Sequence, residues 1–383
     1  MNIIKDKTLL LLSSIGAAAF VFIDLVIVKP NRISQGASYS SLEFLGVLGA
    51  IILILWLVLM ALSLHEGKNK SSIIFILASV LVVSIFWGLQ AKAGEFIDGS
   101  ATVRLSPSSG FYIQMFCIYM LLSKYTQQIQ EYKFIKVIGI LAILGSLLYF
   151  MLTGAFDDFS LMKEYHIKKL QFYNNIKIHG MLTFASVITG VIVAVPLGFL
   201  AYSKKKYEDK IMVSLSIIET IPSLSLFGIL LVPLSGLNKL SFFKAIGVSG
   251  IGWAPAYIAL ALYTLLPIGR NTLSGFYSVD KNTIEAAQGM GMSRLQILTR
   301  IELPLAFPVI FTGIRIAFIQ TIGGAVLAGL VGGGGLGTFV FLGLGEASPD
   351  LILLGVIPIV FFTLLLDYIL KAFEKNIRRI IYD

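Results

Sequence analysis

Residues 270–304 read RNTLSGFYSVDKNTIEAAQGMGMSRLQILTRIELP. This polar stretch lies between two apolar ones, and its pattern is that of short helices joined by a glycine turn. Asn282 precedes a helical stretch holding Glu285, Ala286 and Ala287. Gly289 and Gly291 then break it, because glycine supplies the backbone angles of a tight turn. Ser293 followed three residues later by Gln296 is a capping-box pattern that starts a second helix. Pro304 is expected to end that helix by disfavouring helical angles at Leu303. Leu295, Leu298 and Ile301 recur at helical spacing as an apolar stripe. The pattern alone leaves three uses open: a loop folded back on its own bundle, an interfacial helix, or a docking site for a partner.

Outward from this segment the chain is apolar. Its 383 residues are 57% hydrophobic and 13% charged, with a mean hydropathy of +0.88. A soluble domain cannot hide that much apolar surface. The apolar residues fall in blocks of roughly 18–25, the length that crosses a bilayer as helix. Ten such spans are expected, near 8–28, 42–64, 72–91, 107–123, 137–152, 179–202, 211–234, 245–268, 305–331 and 351–370. The fold expected is an all-α, polytopic transmembrane helical bundle. Lys5 and Lys7 precede the first run as in a signal peptide, but the run is long and Ala17-Ala18-Ala19 lies inside it, so an uncleaved helix is expected.

The net charge of +9 belongs to the loops. With the N-terminus inside, cytoplasmic segments hold nineteen Lys and Arg, outer segments ten, and Arg315 lies within a span. The bias places both termini in the cytoplasm and removes any need for nucleic acid as partner. Four of the outer ten, Lys163, Lys168, Lys169 and Lys177, crowd into 153–178. That stretch divides the chain: a five-helix N-terminal extension over 1–152, a polar outer connection over 153–178, a five-helix core over 179–370 with its cytoplasmic loop at 269–304, and a basic cytoplasmic tail over 371–383.

Several patterns carry no chemistry. Gly332–Gly337 satisfies G-x-G-x-x-G, but follows a membrane helix and lacks the preceding strand of a dinucleotide site. No phosphate-binding G-x-x-x-x-G-K-[ST] occurs, so an ATP-driven transporter would borrow one from another chain. The lone Cys117 excludes an internal disulfide and a cysteine-based zinc site. His65, His166 and His179 are scattered, with no paired-ligand spacing. Asp24, Glu219, Arg315 and Asp367 are ionisable residues in spans, which are costly. Asp24 and Asp367 lie near span ends. Arg315 is expected to pair with a carboxylate or a helix C-terminus. Glu219 stands three residues before Pro222, where a kink would open backbone onto a cavity, and is a candidate for the path or its gate. Trp253, Tyr257 and Tyr263 share one span, as interfacial anchors or as a face for a quaternary ammonium group.

Glu285-Ala286-Ala287, Gly291, Ile301, Leu303 and Pro304 match the EAA motif of ABC importer permeases in every fixed position and spacing. Tyr263–Pro267, Arg270-Asn271-Thr272, Met290-Gly291-Met292, Gly313-Ile314-Arg315, Gly334–Gly337 and Glu219–Ser223 resemble the glycine betaine/choline/proline branch. The resemblance covers about 176–370, and the hydrophobic extension before it is similar to that of one subgroup. It implies a type I ABC importer permease core in an inner membrane, with the EAA segment as the coupling helix seated in a groove of the ATP-binding subunit. It implies two copies of that subunit, a second permease copy or paralogue, and a periplasmic or lipid-anchored solute-binding protein. ATP and Mg would sit on the partner, with no cofactor and no enzymatic reaction in this chain. The cargo implied is glycine betaine or a similar quaternary amine, the alternative being methionine or another amino acid. A secondary transporter or channel would lack the EAA loop, and a membrane enzyme would need converging catalytic groups that the scarce carboxylates do not supply.

Overall fold

The computed structural model describes residues 6–31, 34–67, 69–97, 102–129 and 133–382. Lys5, Arg32 and Lys68, counted above for orientation, lie outside the described residues. The chain divides into two compact units, Met1–Ile167 and Lys168–Asp383.

The first unit opens with α1 (Lys7–Phe22). The apolar run expected to continue as helix to residue 28 changes form after Phe22: Asp24–Lys29 is strand β1. Val26, Ile27 and Val28 are β-branched and favour extended backbone. β1 pairs antiparallel with β2 (Ala37–Ser40) and with β3 (Arg104–Pro107). Among the described residues this makes one small sheet, in the order β2-β1-β3, within an otherwise helical fold. The short α2 (Ser41–Leu45), then α3 (Val47–Leu62), α4 (Lys70–Ile97) and α5 (Ser109–Gln128), enclose with α1 a core that includes Phe20, Phe44, Trp56 and Phe75.

At the start of α1, Asp6 caps the helix by accepting from the Leu9 N–H at 3.0 Å. It also accepts from Lys124 Nζ at 2.9 Å and from the Tyr125 hydroxyl. Burial pushes the Asp6 carboxyl up, but these hydrogen bonds and the Lys124 charge outweigh it and hold the group at about 2. α6 (Lys133–Leu152) packs on α4 and leaves most of its apolar surface uncovered. The stretch 153–178, expected as a polar connection, turns over 153–159, forms α7 (Ser160–Ile167), and passes into the next long helix. The fully buried Glu164 of α7 is held by Arg104 of β3.

The second unit begins with α8 (Lys169–Ser203), which starts ten residues before the expected span. The expected seventh span is broken into α9 (Lys205–Thr220) and α10 (Ser223–Leu237), which meet at 98°. The short α11 (Ser241–Ala245) leads to α12 (Trp253–Tyr277), which runs nine residues into the stretch expected to be loop. Two further short helices, α13 (Lys281–Gly289) and α14 (Arg294–Ile297), lead through a π-helical turn, Leu298–Glu302, into α15 (Leu303–Gly324). A 3-10 turn (Ala325–Gly329), α16 (Gly337–Gly345) and α17 (Pro349–Tyr382) complete the unit. The expected basic tail is thus the end of α17 as far as Tyr382. α8, α12 and α15 form the packed centre, and small residues set their closeness. A Cβ on Gly198 would stand 2.7 Å from the Gly269 carbonyl oxygen, and one on Gly313 2.7 Å from that of Pro267. Helices in lipid associate through such contacts because lipid removes the hydrophobic drive between them.

Among the described residues, five helices are long and apolar enough to cross a membrane: α4, α6, α8, the stretch Arg294–Gly329 and α17. The α9–α10 pair makes a sixth if it is one bent span. α1 and α3 are apolar but have 16 residues each, and the expected spans 107–123 and 245–268 coincide with the more polar α5 and α12. The fold is a polytopic helical membrane protein.

Candidate functional site

The segment between α12 and α15 is built by its caps. Asp280 accepts from the Asn282 N–H at 3.0 Å and starts α13, so Asn282 lies in the first turn rather than before it. α13 closes with the Gly291 N–H donating to Gln288 O at 2.9 Å and the Met292 N–H donating to Ala287 O at 3.2 Å. That pair of bonds is a Schellman closure, which needs a left-handed residue at Gly291. Its φ is +77°, whereas Gly289 is simply the last helical residue. A Cβ on Gly291 would point into open space. α14 then starts on the expected capping box: Ser293 Oγ accepts from the Gln296 N–H at 3.3 Å, and Gln296 Oε1 from the Ser293 N–H at 2.8 Å.

Pro304 does not end α14. Leu303 is helical, and its N–H donates to Leu298 O, five residues back. Proline inside a helix removes one hydrogen bond and collides with the carbonyl four residues earlier. The π-helical turn before it inserts one extra residue and lets the chain run into α15 without a stop.

The apolar stripe is divided. Leu298 packs with Phe276, Val279, Ile284, Ala306 and Ile310, and Ile301 is half-buried. Ile297, not singled out in the sequence, is buried. Leu295 and Met290 are 69% and 74% exposed. Beside them Glu285, Ala286, Arg294 and Arg300 are also exposed, while Ala287 is fully buried against the chain itself. Leu303 is 39% exposed and Pro304 half-buried. The EAA residues are therefore divided between an outer face and an inner anchor. Within the anchor lies a group that the sequence reading passed over. Glu302 is fully buried and accepts from Arg294 Nη1 of α14 and from the Tyr202 hydroxyl of α8, each at 3.0 Å. The signal was there: a carboxylate flanked by Ile301 and Leu303.

A second feature is the break between α9 and α10. Ile221 and Pro222 are extended (ψ 123° and 135°). The Ile221 carbonyl, freed by the break, accepts from the Tyr263 hydroxyl at 2.7 Å. A pocket of about 260 Å³ opens here, lined by Glu219, Ser223, Phe227, Tyr263, Gln320 and Leu327 among others. Glu219 thus faces a cavity beside the kink. Trp253 and Tyr257 do not line it. Their rings pack on each other at 6.2 Å, and the Tyr257 hydroxyl bonds Thr189 at 2.6 Å. Trp253 is 41% exposed at the start of α12, near the point where the Gly252 N–H donates to Val331 O at 2.7 Å.

Arg315 has the carboxylate partners expected of it. Its Nη1 lies 3.3 Å from Glu374 and its Nε 3.8 Å from Asp367. Glu374 also accepts from Thr312 at 2.9 Å and from Arg378 at 3.1 Å. Gly332, Gly334 and Gly335 have positive φ in a loop facing Ile178 and His179 of α8, not in a strand-to-helix turn. Among the described residues no three His, Cys, Asp or Glu could together hold a metal ion.

Comparison with known proteins matches this architecture. Residues 186–379 match the family described as binding-protein-dependent transport system inner membrane component. Residues 5–162 match the N-terminal domain of the ABC transporter permease YehY. The choline transport system permease protein OpuBB of Bacillus subtilis (strain 168) is 40% identical over 199 residues, 52% of this chain and 85% of the relative. The glycine betaine/carnitine/choline permease protein OpuCB of the same organism is 37% identical over 199 residues, again 52% and 85%. The osmoprotectant import permease protein OsmW of Salmonella typhimurium is 37% identical over 196 residues, 51% and 86%. Residues 186–379 hold the second half of α8, the broken span, α12, α15 and the capped segment between α12 and α15. This chain belongs to the family of binding-protein-dependent transport system inner membrane components, the permeases of ABC transporters.

Proposed function

We propose that the chain is the permease subunit of an ATP-binding cassette importer for a compatible solute, glycine betaine or a similar quaternary amine. Residues 281–297 seat on the ATP-binding subunit, two copies of which serve a pair of permeases, this chain with itself or with a paralogue. An outer solute-binding protein delivers the cargo. ATP-driven closure below moves the seated segment, the packed helices rock as bodies, and the path opens alternately to either side. The solute passes beside the α9–α10 break, where Glu219 and the freed backbone face a cavity. The helix ends carrying the N- and C-termini lie in the cytoplasm. ATP and Mg belong to the partner, and no bond in the solute is made or broken here.

The observation that carries this reading is the exposed face of 281–297. Met290 and Leu295 stand clear of the fold on a rigidly capped support. Two exposed apolar side chains beside the exposed EAA residues Glu285 and Ala286, outside the apolar spans, support a contact site at this place. The relatives' cargoes support the choice of solute. The test is uptake of labelled betaine, choline and methionine by the chain assembled with its own ATP-binding subunit. Betaine uptake dependent on ATP is expected. Uptake of methionine alone overturns the solute class, and absence of a copurifying ATPase overturns the permease reading.

A further inference from the structure

Glu302 has no role in the motif that surrounds it, yet its carboxylate joins three elements. Oε1 receives Arg294 from α14 and Tyr202 from the end of α8, both at 3.0 Å, while Glu302 itself closes the π-helical turn that leads into α15. The Tyr202 ring stacks on Phe276 of α12 at 5.1 Å and 19°. One buried carboxylate therefore bonds α8 and α14 at the entry to α15, and is linked to α12 only through the Tyr202 ring. Arg294 is 59% exposed, so one end of its side chain lies on the outer face. Glu302 Oε2 is buried with no hydrogen-bond partner.

A buried charge pair adds little to stability against an apolar replacement, but it fixes geometry. Its charge-assisted bonds act only in narrow arrangements. A π-helical turn is a point where a helix can change register by one residue. The free Oε2 gives the Arg294 guanidinium a second seat, in which both carboxylate oxygens are held by its fork. We propose that Glu302 is a positioning residue that carries displacement of the coupling segment, through Arg294, into α8 by way of Tyr202. The relay has two arrangements, one with Arg294 on Oε1 alone and one with it on both oxygens. It rests on the reading that 281–297 seats on an ATP-binding subunit.

The test uses the whole transporter in proteoliposomes, with its ATP-binding subunit and solute-binding protein. ATP hydrolysis and solute uptake are measured together for wild type, Glu302→Gln, Tyr202→Phe and the double variant. Glu302→Gln keeps the shape and removes the charge. Tyr202→Phe keeps the ring stack and removes one hydroxyl. Expected is unchanged subunit copurification, hydrolysis within about twofold of wild type, and uptake per ATP reduced about tenfold. The double variant should be no worse than Glu302→Gln alone, because both act through one bond. Uptake and hydrolysis falling in parallel with membrane abundance in both variants would mean a structural role and overturn the relay. A wild-type assembly that transports, with variants at unchanged uptake per ATP, overturns the relay alone. A wild-type chain that captures no ATP-binding subunit overturns the functional reading and the relay with it.

Discussion

At Gly291 the left-handed backbone is required by the closure of α13, and the missing Cβ would meet nothing in the chain. Replacement with Asp costs of order 1 kcal/mol in backbone strain and projects a charge toward whatever covers the segment. Gly291→Asp should therefore stay inserted at near wild-type abundance while uptake falls about tenfold or more and the ATP-binding subunit copurifies poorly. Glu285→Ala should change uptake less than about twofold, since an exposed carboxylate contributes a few tenths of a kcal/mol to its helix. Wild-type uptake and assembly in Gly291→Asp would remove 281–297 as the coupling element. The turn and its capping box were legible because glycine spacing and a Ser-x-x-Gln pattern are local signals. Asp280 was passed over although it is a better cap than Asn282 by position, two residues ahead of the N–H it accepts. Glu302 shows in the sequence only as a carboxylate between Ile301 and Leu303, because its partners Arg294 and Tyr202 meet it only in the fold.

Between elements, the helices were legible wherever an apolar run was bounded by charge. Pro222 marked the break in α9–α10, though its 98° angle depends on Tyr263 and the surrounding helices, which no local pattern describes. β1 was lost because Asp24–Lys29 continues the apolar run of α1, and its β-branched residues mattered only once β2 and β3 were there to pair with it. Pro304 was read as a stop because the π-helical turn that accommodates it has no sequence signature. The junction of α1 with α5 makes a pH prediction. The Asp6 carboxyl is held at about 2, below the ordinary value of 3.8. A depressed carboxylate stabilises fully above its unfolded value, and the contribution is lost as pH falls toward the folded one. Asp6→Asn keeps a capping side chain but removes the charge that Lys124 and Tyr125 bond, and should lower the melting midpoint by about 2–4 °C at neutral pH, taking roughly 1 kcal/mol for the lost charge-assisted bonds. The difference from wild type should close between about pH 4 and pH 2. A gap that persists at pH 2 would show that packing, not charge, sets it.

For the molecule as a whole, the orientation proposed from the charge of its loops can be measured directly. In a Cys117→Ser background, single cysteines at Lys205 and Lys281 should be shielded from an impermeant thiol reagent in intact cells, and one at Asn238 should react. Labelling at Lys281 from outside would reverse the orientation and detach the EAA segment from any cytoplasmic partner. The purified chain alone should not hydrolyse ATP. Activity that persists without a second subunit would contradict a permease role.

The ion pair at the end of α17 bears on how the protein can be shortened. Hydropathy suggests a natural end near Leu370, where the last apolar run stops. A chain cut there would keep Asp367 at 3.8 Å from Arg315 but lose Glu374, which lies at 3.3 Å and also binds Thr312. A guanidinium among apolar helices would then keep only its longer contact, a costly state in lipid. Such a truncated chain should accumulate in the membrane at clearly lower abundance than the full chain, measured by immunoblot of membrane fractions. The last turns of α17, which look dispensable by composition, act as the counter-ion of α15.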